Sequence, residues 1–200
     1  MIMKKAKTLP EFNIIIAGVG GQGLITLLKI ISQAALEENY DIKTSELHGL
    51  SQRGGSVEVH IRFGREIWSP LIKTGGAQLI ISLEAQEALK ASQYAAKETI
   101  FLINNNLIPI PGQQLLTPQE INSSLKKISG KIFLLPASEF CQKELGSEVV
   151  AGIFLLGYAT FNKLIPLKPK SIISAIGAVI PEKYLEMNKK AFEIAKAYEK

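Results

Sequence analysis

Residues 13–17, Asn-Ile-Ile-Ile-Ala, form a short apolar run rich in β-branched side chains that ends in glycines. This is the pattern of a strand buried on both faces of a parallel sheet. Beyond Gly23 the period changes. Leu24, Leu27, Leu28 and Ile31 recur at helical spacing, and Ala34 and Ala35 carry the stripe to about Glu38. Residues 41–45 read as a second strand. In 56–63, Val57, Val59, Ile61 and Phe63 alternate with Glu58, His60 and Arg62; Gly64-Arg65 then predicts a two-residue turn, with 66–69 as the return strand of a hairpin. Residues 79–83 predict a buried strand, 84–97 a helix and 99–103 a further strand. A loop over 104–118 contains Pro109, Pro111 and Pro118, and Thr117 is placed to cap a helix that has Pro118 in its first turn and Glu120 three residues on. A last strand at 131–135 precedes helices at 138–145, 148–161, 170–179 and 181–200. Strands alternating with helices, then closed by helices, predict an α/β fold. The expectation is one domain over 1–200: a three-layer, Rossmann-like arrangement with a mostly parallel sheet and an inserted antiparallel β-hairpin.

Composition narrows the class without naming a function. The 200 residues are 46% hydrophobic and 20% charged, which excludes wholesale disorder and fibrous repeats. The net charge of +5 suits an anionic partner, but the densest basic stretch sets Lys183, Lys189, Lys190 and Lys196 against Glu182, Glu186 and Glu193. That is a solvated helix face, and with aromatics at 7% a nucleic-acid platform is not expected. The longest apolar run, 149–161, falls short of the ~20 residues of a membrane helix. A single cysteine, Cys141, allows neither an internal disulfide nor a cluster, and points to a reducing, cytoplasmic setting.

Two glycine-rich turns carry the candidate chemistry. Gly18-Val19-Gly20-Gly21-Gln22-Gly23 joins a strand to a helix and fits the G-x-G-x-x-G spacing. One glycine supplies a positive φ, a second lets a phosphate approach the backbone, and the helix N-terminus offers unpaired amides. Glu46, 23 residues after Gly23, stands where a dinucleotide fold keeps its ribose-binding acid. Three readings stay open: a nucleotide site, another anion or coenzyme site, or a tight packing turn that binds nothing. The second turn, residues 46–56, holds His48, Gln52 and Arg53 followed by Gly54 and Gly55. Consecutive glycines beside a guanidinium suit a carboxylate or phosphate, unless they serve only as the entry to a strand. His48 could act as an acid or base, and Glu84, at the end of a buried strand, could line the same crevice or merely open a helix. With only His48 and His60, and no paired spacing between ligands, no metal site is expected.

The segments Ala17-Gly-Val-Gly-Gly-Gln-Gly23, Ser45-Glu-Leu-His-Gly49, Gln52-Arg-Gly-Gly-Ser-Val57 and Ser69-Pro-Leu-Ile72 resemble the gamma-type subunit of 2-oxoacid:ferredoxin oxidoreductases, and most nearly the beta subunit of the indolepyruvate enzymes. Leu83-Glu84, residues 104–111 and residues 187–192 extend the likeness over most of the chain. The resemblance implies a thiamine diphosphate-dependent oxidative decarboxylation of a 2-oxoacid to an acyl-CoA, with electrons passed to ferredoxin. The chain has no four-cysteine run and no Gly-Asp-Gly segment followed by asparagine. Thiamine diphosphate, Mg and iron–sulfur clusters are therefore expected on a large alpha partner subunit, with CoA as co-substrate. The expectation is that His48, Arg53 and Glu84 serve the reaction, that Gly18, Gly20, Gly21, Gln22 and Gly23 bind an anionic coenzyme group or hold an interface loop, and that Glu46, Gln52, Gly54 and Gly55 complete the coenzyme site. The chain departs from relatives at Gly152, where they often carry asparagine. The isolated chain could self-associate through the surface meant for its partner. The rival expectation is a stand-alone nucleotide-binding protein or NAD-dependent enzyme.

Overall fold

The computed structural model describes residues 11–49, 55–109 and 115–198. Six strands form one sheet: β1 (Phe12–Val19), β2 (Asp41–His48), β3 (Ser56–Gly64), β4 (Leu79–Ser82), β5 (Ile100–Asn104) and β6 (Ile132–Leu135). Their order is β2-β3-β1-β4-β5-β6. β1, β4, β5 and β6 run parallel, and β3 is antiparallel to both β1 and β2. Ile14, Ile15 and Ile16 are wholly buried, as a central parallel strand requires.

Helices cover both faces, giving the expected three layers. On one face lie α1 (Leu24–Glu37), α4 (Ala137–Leu145), α5 (Ala151–Phe161), α6 (Pro169–Val179) and α7 (Glu182–Ile194), sharing a core with Ile14, Ile16, Val59 and Ile81. On the other lie α2 (Ala85–Ala91) and α3 (Pro118–Lys126), packed on Ile15, Ala17, Ile80 and Phe101. The capping box at Thr117 forms in both directions: Thr117 Oγ1 accepts from the Glu120 amide at 3.2 Å, and the Glu120 carboxylate accepts from the Thr117 amide at 2.8 Å. Every residue of α5 from Ala151 to Thr160 is buried, so this helix is the spine of its layer. Among the described residues no helix is long and apolar enough to cross a membrane.

The inserted hairpin is present, but its partners differ from those expected. β3 pairs with β2 from Asp41↔Gly64 to His48↔Val57, and residues 66–69 form no strand. The reason lies in the second face of β3. Ile67 and Ile72 are buried, the Ile67 amide donates to Asp41 Oδ2 at 2.7 Å, and the Ile72 amide donates to His60 Nδ1 at 3.0 Å. The segment thus folds over the sheet instead of extending it. His60, which its alternation places on an open face, is buried beneath, with Nε2 against Glu58 Oε1 at 2.9 Å. The predicted 84–97 helix is also shorter: α2 ends at Ala91 and a 3-10 turn follows over Ser92–Tyr94.

Candidate functional site

β1 and β4 are parallel neighbours whose chains leave in opposite directions. After Val19 the chain turns into α1 on one face; after Ser82 it turns into α2 on the other. Such a parting opens a crevice at the carboxyl ends of the strands. The first glycine turn forms one lip. Gly21 (φ 100°) and Gly23 (φ 83°) occupy the left-handed region, where a side chain is strained. The first bond of α1 runs from the Leu27 amide to the Gly23 carbonyl at 3.1 Å, so the amides of Leu24, Ile25 and Thr26 are left at its mouth, and no described side chain caps them.

Gln22 fixes this turn from within. Its Oε1 accepts from the Val19 amide at 2.9 Å, and its Nε2 donates to the Leu83 carbonyl at 3.2 Å. One side chain therefore ties the ends of β1 and β4 together. Gly18 makes room for it, since a Cβ there would lie 2.7 Å from Gln22 Oε1.

The second glycine turn meets the first. The Gly20 amide donates to the Gly55 carbonyl at 2.9 Å, and the Gly49 amide donates to the Ser56 carbonyl at 2.9 Å. Gln52, Arg53 and Gly54 lie outside the described residues. Glu46 and His48 are exposed and face one another at 3.4 Å on edge strand β2. Because β3 intervenes, Glu46 stands two strands from β1, not beside it as a ribose-binding acid would.

Glu84 is buried and turned to a structural task. One carboxylate oxygen accepts from the Glu87 amide at 2.8 Å, capping α2, and the other accepts from the Ile108 amide at 3.2 Å, holding the loop after β5. Burial pushes its carboxyl above the usual range. Replacing it with alanine should cost about 1–2 kcal/mol. A raised folded-state value means that Glu84 stabilises most below its ordinary titration range, and that the benefit declines as pH rises through the folded value. Urea melts should therefore show a larger gap between the unaltered chain and Glu84→Ala at pH 5 than at pH 8.

Two cavities flank the turn. One of about 140 Å³ is lined by Gly21, Gln22, Leu83, Asn104, Asn106 and Ser138 among others. A larger, more apolar one of about 470 Å³ lies between α1, α5 and α7, with Gln22, Gly23, Leu27, Ile153, Tyr184 and Met187 in its walls. Gly152 borders both. A Cβ at this position would sit 3.1 Å from Leu27 Cδ1, so a larger residue would crowd Leu27.

Sequence reasoning missed Asn104. It is buried at the end of β5, donates to the Leu83 carbonyl at 3.1 Å and to Ser138 Oγ at 2.8 Å, and accepts from the Ser138 amide at 3.1 Å. It thereby joins the ends of β4, β5 and β6. The available signal was an asparagine closing a run of apolar strand residues.

Cys141 is buried in α4, and desolvation pushes its thiol up to about 12. Titration with a disulfide reagent at pH 8 should find no reactive thiol in the native chain and one after denaturation. Among the described residues no group of three or more His, Cys, Asp or Glu side chains is placed to hold a metal ion.

The sequence model of the pyruvate ferredoxin/flavodoxin oxidoreductase family matches residues 13–198. The chain belongs to that family. It is 34% identical over 189 residues to the indolepyruvate oxidoreductase subunit IorB of Archaeoglobus fulgidus, covering 92% of this chain and 93% of that protein. It is 33% identical over 191 residues to the IorB subunit of Thermococcus kodakarensis, covering 92% and 94%. Among solved structures, the keto/oxoacid ferredoxin oxidoreductase gamma subunit from Geobacter sulfurreducens shares the fold, with a TM-score of 0.69 at 20% identity over 93% of this chain and 96% of that one. A 2-oxoglutarate:ferredoxin oxidoreductase from Magnetococcus marinus, with 2-oxoglutarate, coenzyme A and succinyl-CoA bound, contains the same fold. Its TM-score is 0.71 at 18% identity, covering 97% of this chain and 31% of that one. This fold thus occurs both as a separate subunit and as part of a longer chain.

Proposed function

We propose that the chain is the cluster-free small subunit of a cytoplasmic 2-oxoacid:ferredoxin oxidoreductase acting on indolepyruvate or a related arylpyruvate. The observation that carries this reading is the Gly20–Gly55 hydrogen bond, which joins the two glycine turns beside the uncapped amides of α1 at a strand switch point. The IorB relatives supply the substrate class.

A sole, buried cysteine cannot hold an iron–sulfur cluster, and on this reading the clusters, thiamine diphosphate and Mg would be carried by the large partner subunit. Bound there, thiamine diphosphate would supply the electron sink for decarboxylation. The residues of this chain suit an anionic coenzyme group such as the phosphates of CoA. The main-chain amides of Gly21 and Gly23 and of the first turn of α1 would receive the anion, and Gln22 would keep them in place. Arg53 would add positive charge, with Gln52 and the amides of Gly54 and Gly55 beside it. The larger cavity would shield an apolar portion of the coenzyme from water. Glu84 would hold the wall and not touch the reacting atoms. The displacement of Glu46 from β1 disfavours a dinucleotide enzyme.

Co-expression with a large thiamine-binding subunit tests the proposal. Indolepyruvate-dependent dye reduction should need both chains, and calorimetry on the complex should detect CoA but not NAD(H). Undiminished turnover without this chain would refute it.

A further inference from the structure

Both loops that face the glycine turn are anchored to one short helix through two buried acids. Glu84 accepts from the Ile108 amide at 3.2 Å. Glu87, one turn on and also buried, accepts the Ser56 hydroxyl through Oε2, while its Oε1 takes Lys90 Nζ at 2.6 Å. Ser56 opens β3 and directly follows Gly55, whose carbonyl receives the Gly20 amide. An unbroken path therefore runs from Lys90 through Glu87 and Ser56 to Gly55 and on to the first glycine turn.

We propose that Ser56 and Glu87 are positioning residues that set the register of Gly55 against Gly20 in the first glycine turn. The sites joined are Gly55 and Gly20, and no contact of Ser56 or Glu87 with a substrate is required. Three features support the assignment. The acceptor is a buried carboxylate, which makes the hydroxyl bond strong and directional. Lys90 holds the other oxygen of the same carboxyl group at 2.6 Å, which fixes its orientation beside Ser56. Gly20 is exposed, so the protection of its amide depends on the bond to Gly55 and reports directly on the register.

The inference rests on the coenzyme-site reading only for its catalytic consequence; the clamp itself is testable on the chain alone. Amide hydrogen exchange by NMR compares the unaltered chain with Ser56→Ala and Ser56→Thr. In Ser56→Ala the Gly20 amide should exchange about tenfold faster, the factor that one charge-assisted hydrogen bond supports. The amides of Ile15 and Ile16 should be unaffected. Ser56→Thr, which keeps the hydroxyl at a strand position, should restore protection. In the reconstituted complex, Ser56→Ala should raise the KM for CoA with little change in kcat. If the complex proves inactive with the unaltered chain, the functional reading fails while the exchange result still decides the clamp. Unchanged Gly20 exchange in Ser56→Ala overturns the proposal, and so does a loss of protection shared equally by Ile15 and Ile16.

Discussion

Gly157→Ala is expected to destabilise the fold by about 3 kcal/mol, the upper range for forcing a methyl into a packed interior. Gly157 lies in the middle of α5, where a Cβ would stand 2.5 Å from the Phe192 carbonyl oxygen and 2.9 Å from Ala195 Cβ. Both obstacles belong to the end of the α7 segment, one as backbone and one as a Cβ, so neither can swing aside. α5 would have to retreat from α7, although its other sides are already packed against the sheet and neighbouring helices. Gly177→Ala in α6 should act in the opposite direction. A Cβ there meets nothing within 4 Å, and replacing an exposed helical glycine contributes about 0.5–1 kcal/mol. Urea midpoints for the two variants should move apart; a shared direction would mean that propensity, not crowding, governs α5.

Gly18→Ala should disable the site while leaving most of the fold intact. The added methyl would lie 2.7 Å from Gln22 Oε1, 3.2 Å from Leu24 Cδ1 and 3.3 Å from Leu83 Cβ. The flexible amide is the group that gives way, and with it go the bonds to the Val19 amide and the Leu83 carbonyl. The glycine turn would then lose its tie to β4. The expected result in the reconstituted complex is an increase of about tenfold or more in the KM for CoA, on the scale of two lost hydrogen bonds. Gln22→Ala should reproduce much of the defect, and the double variant should be little worse than either single one, because both remove the same bridge. Additive losses would show that Gly18 acts by a separate route.

The strands and most helices were legible because each keeps one period long enough to be recognised. The buried runs at β1, β4 and β5 and the stripe of α1 are examples. The hairpin partner was not legible. The alternation in β3 indicates one buried face, while its second face is covered by Ile67 and Ile72 from a segment with no period of its own. The turn at Gly64 looked like a hairpin because nothing local in the sequence says that β2, eight positions before β3, is the partner. Within the site, the two glycine turns were readable from their punctuation, and their meeting followed from the rule that strand ends share a crevice. The roles of Gln22, Glu84 and Asn104 were not readable. Each is a polar side chain committed to backbone groups distant in sequence, and those partners exist only once the strands are ordered.

The central position of β1 also constrains when the molecule can fold. Its neighbours are β3 and β4, and one of its faces shares a core with α5, whose residues lie more than 130 positions downstream of Ile16. While the ribosome is still making the second half, that apolar face of the emerging chain has no α5 to cover it. Nascent intermediates of this kind are sticky, and this core is expected to close only once the α5 segment has emerged from the ribosome.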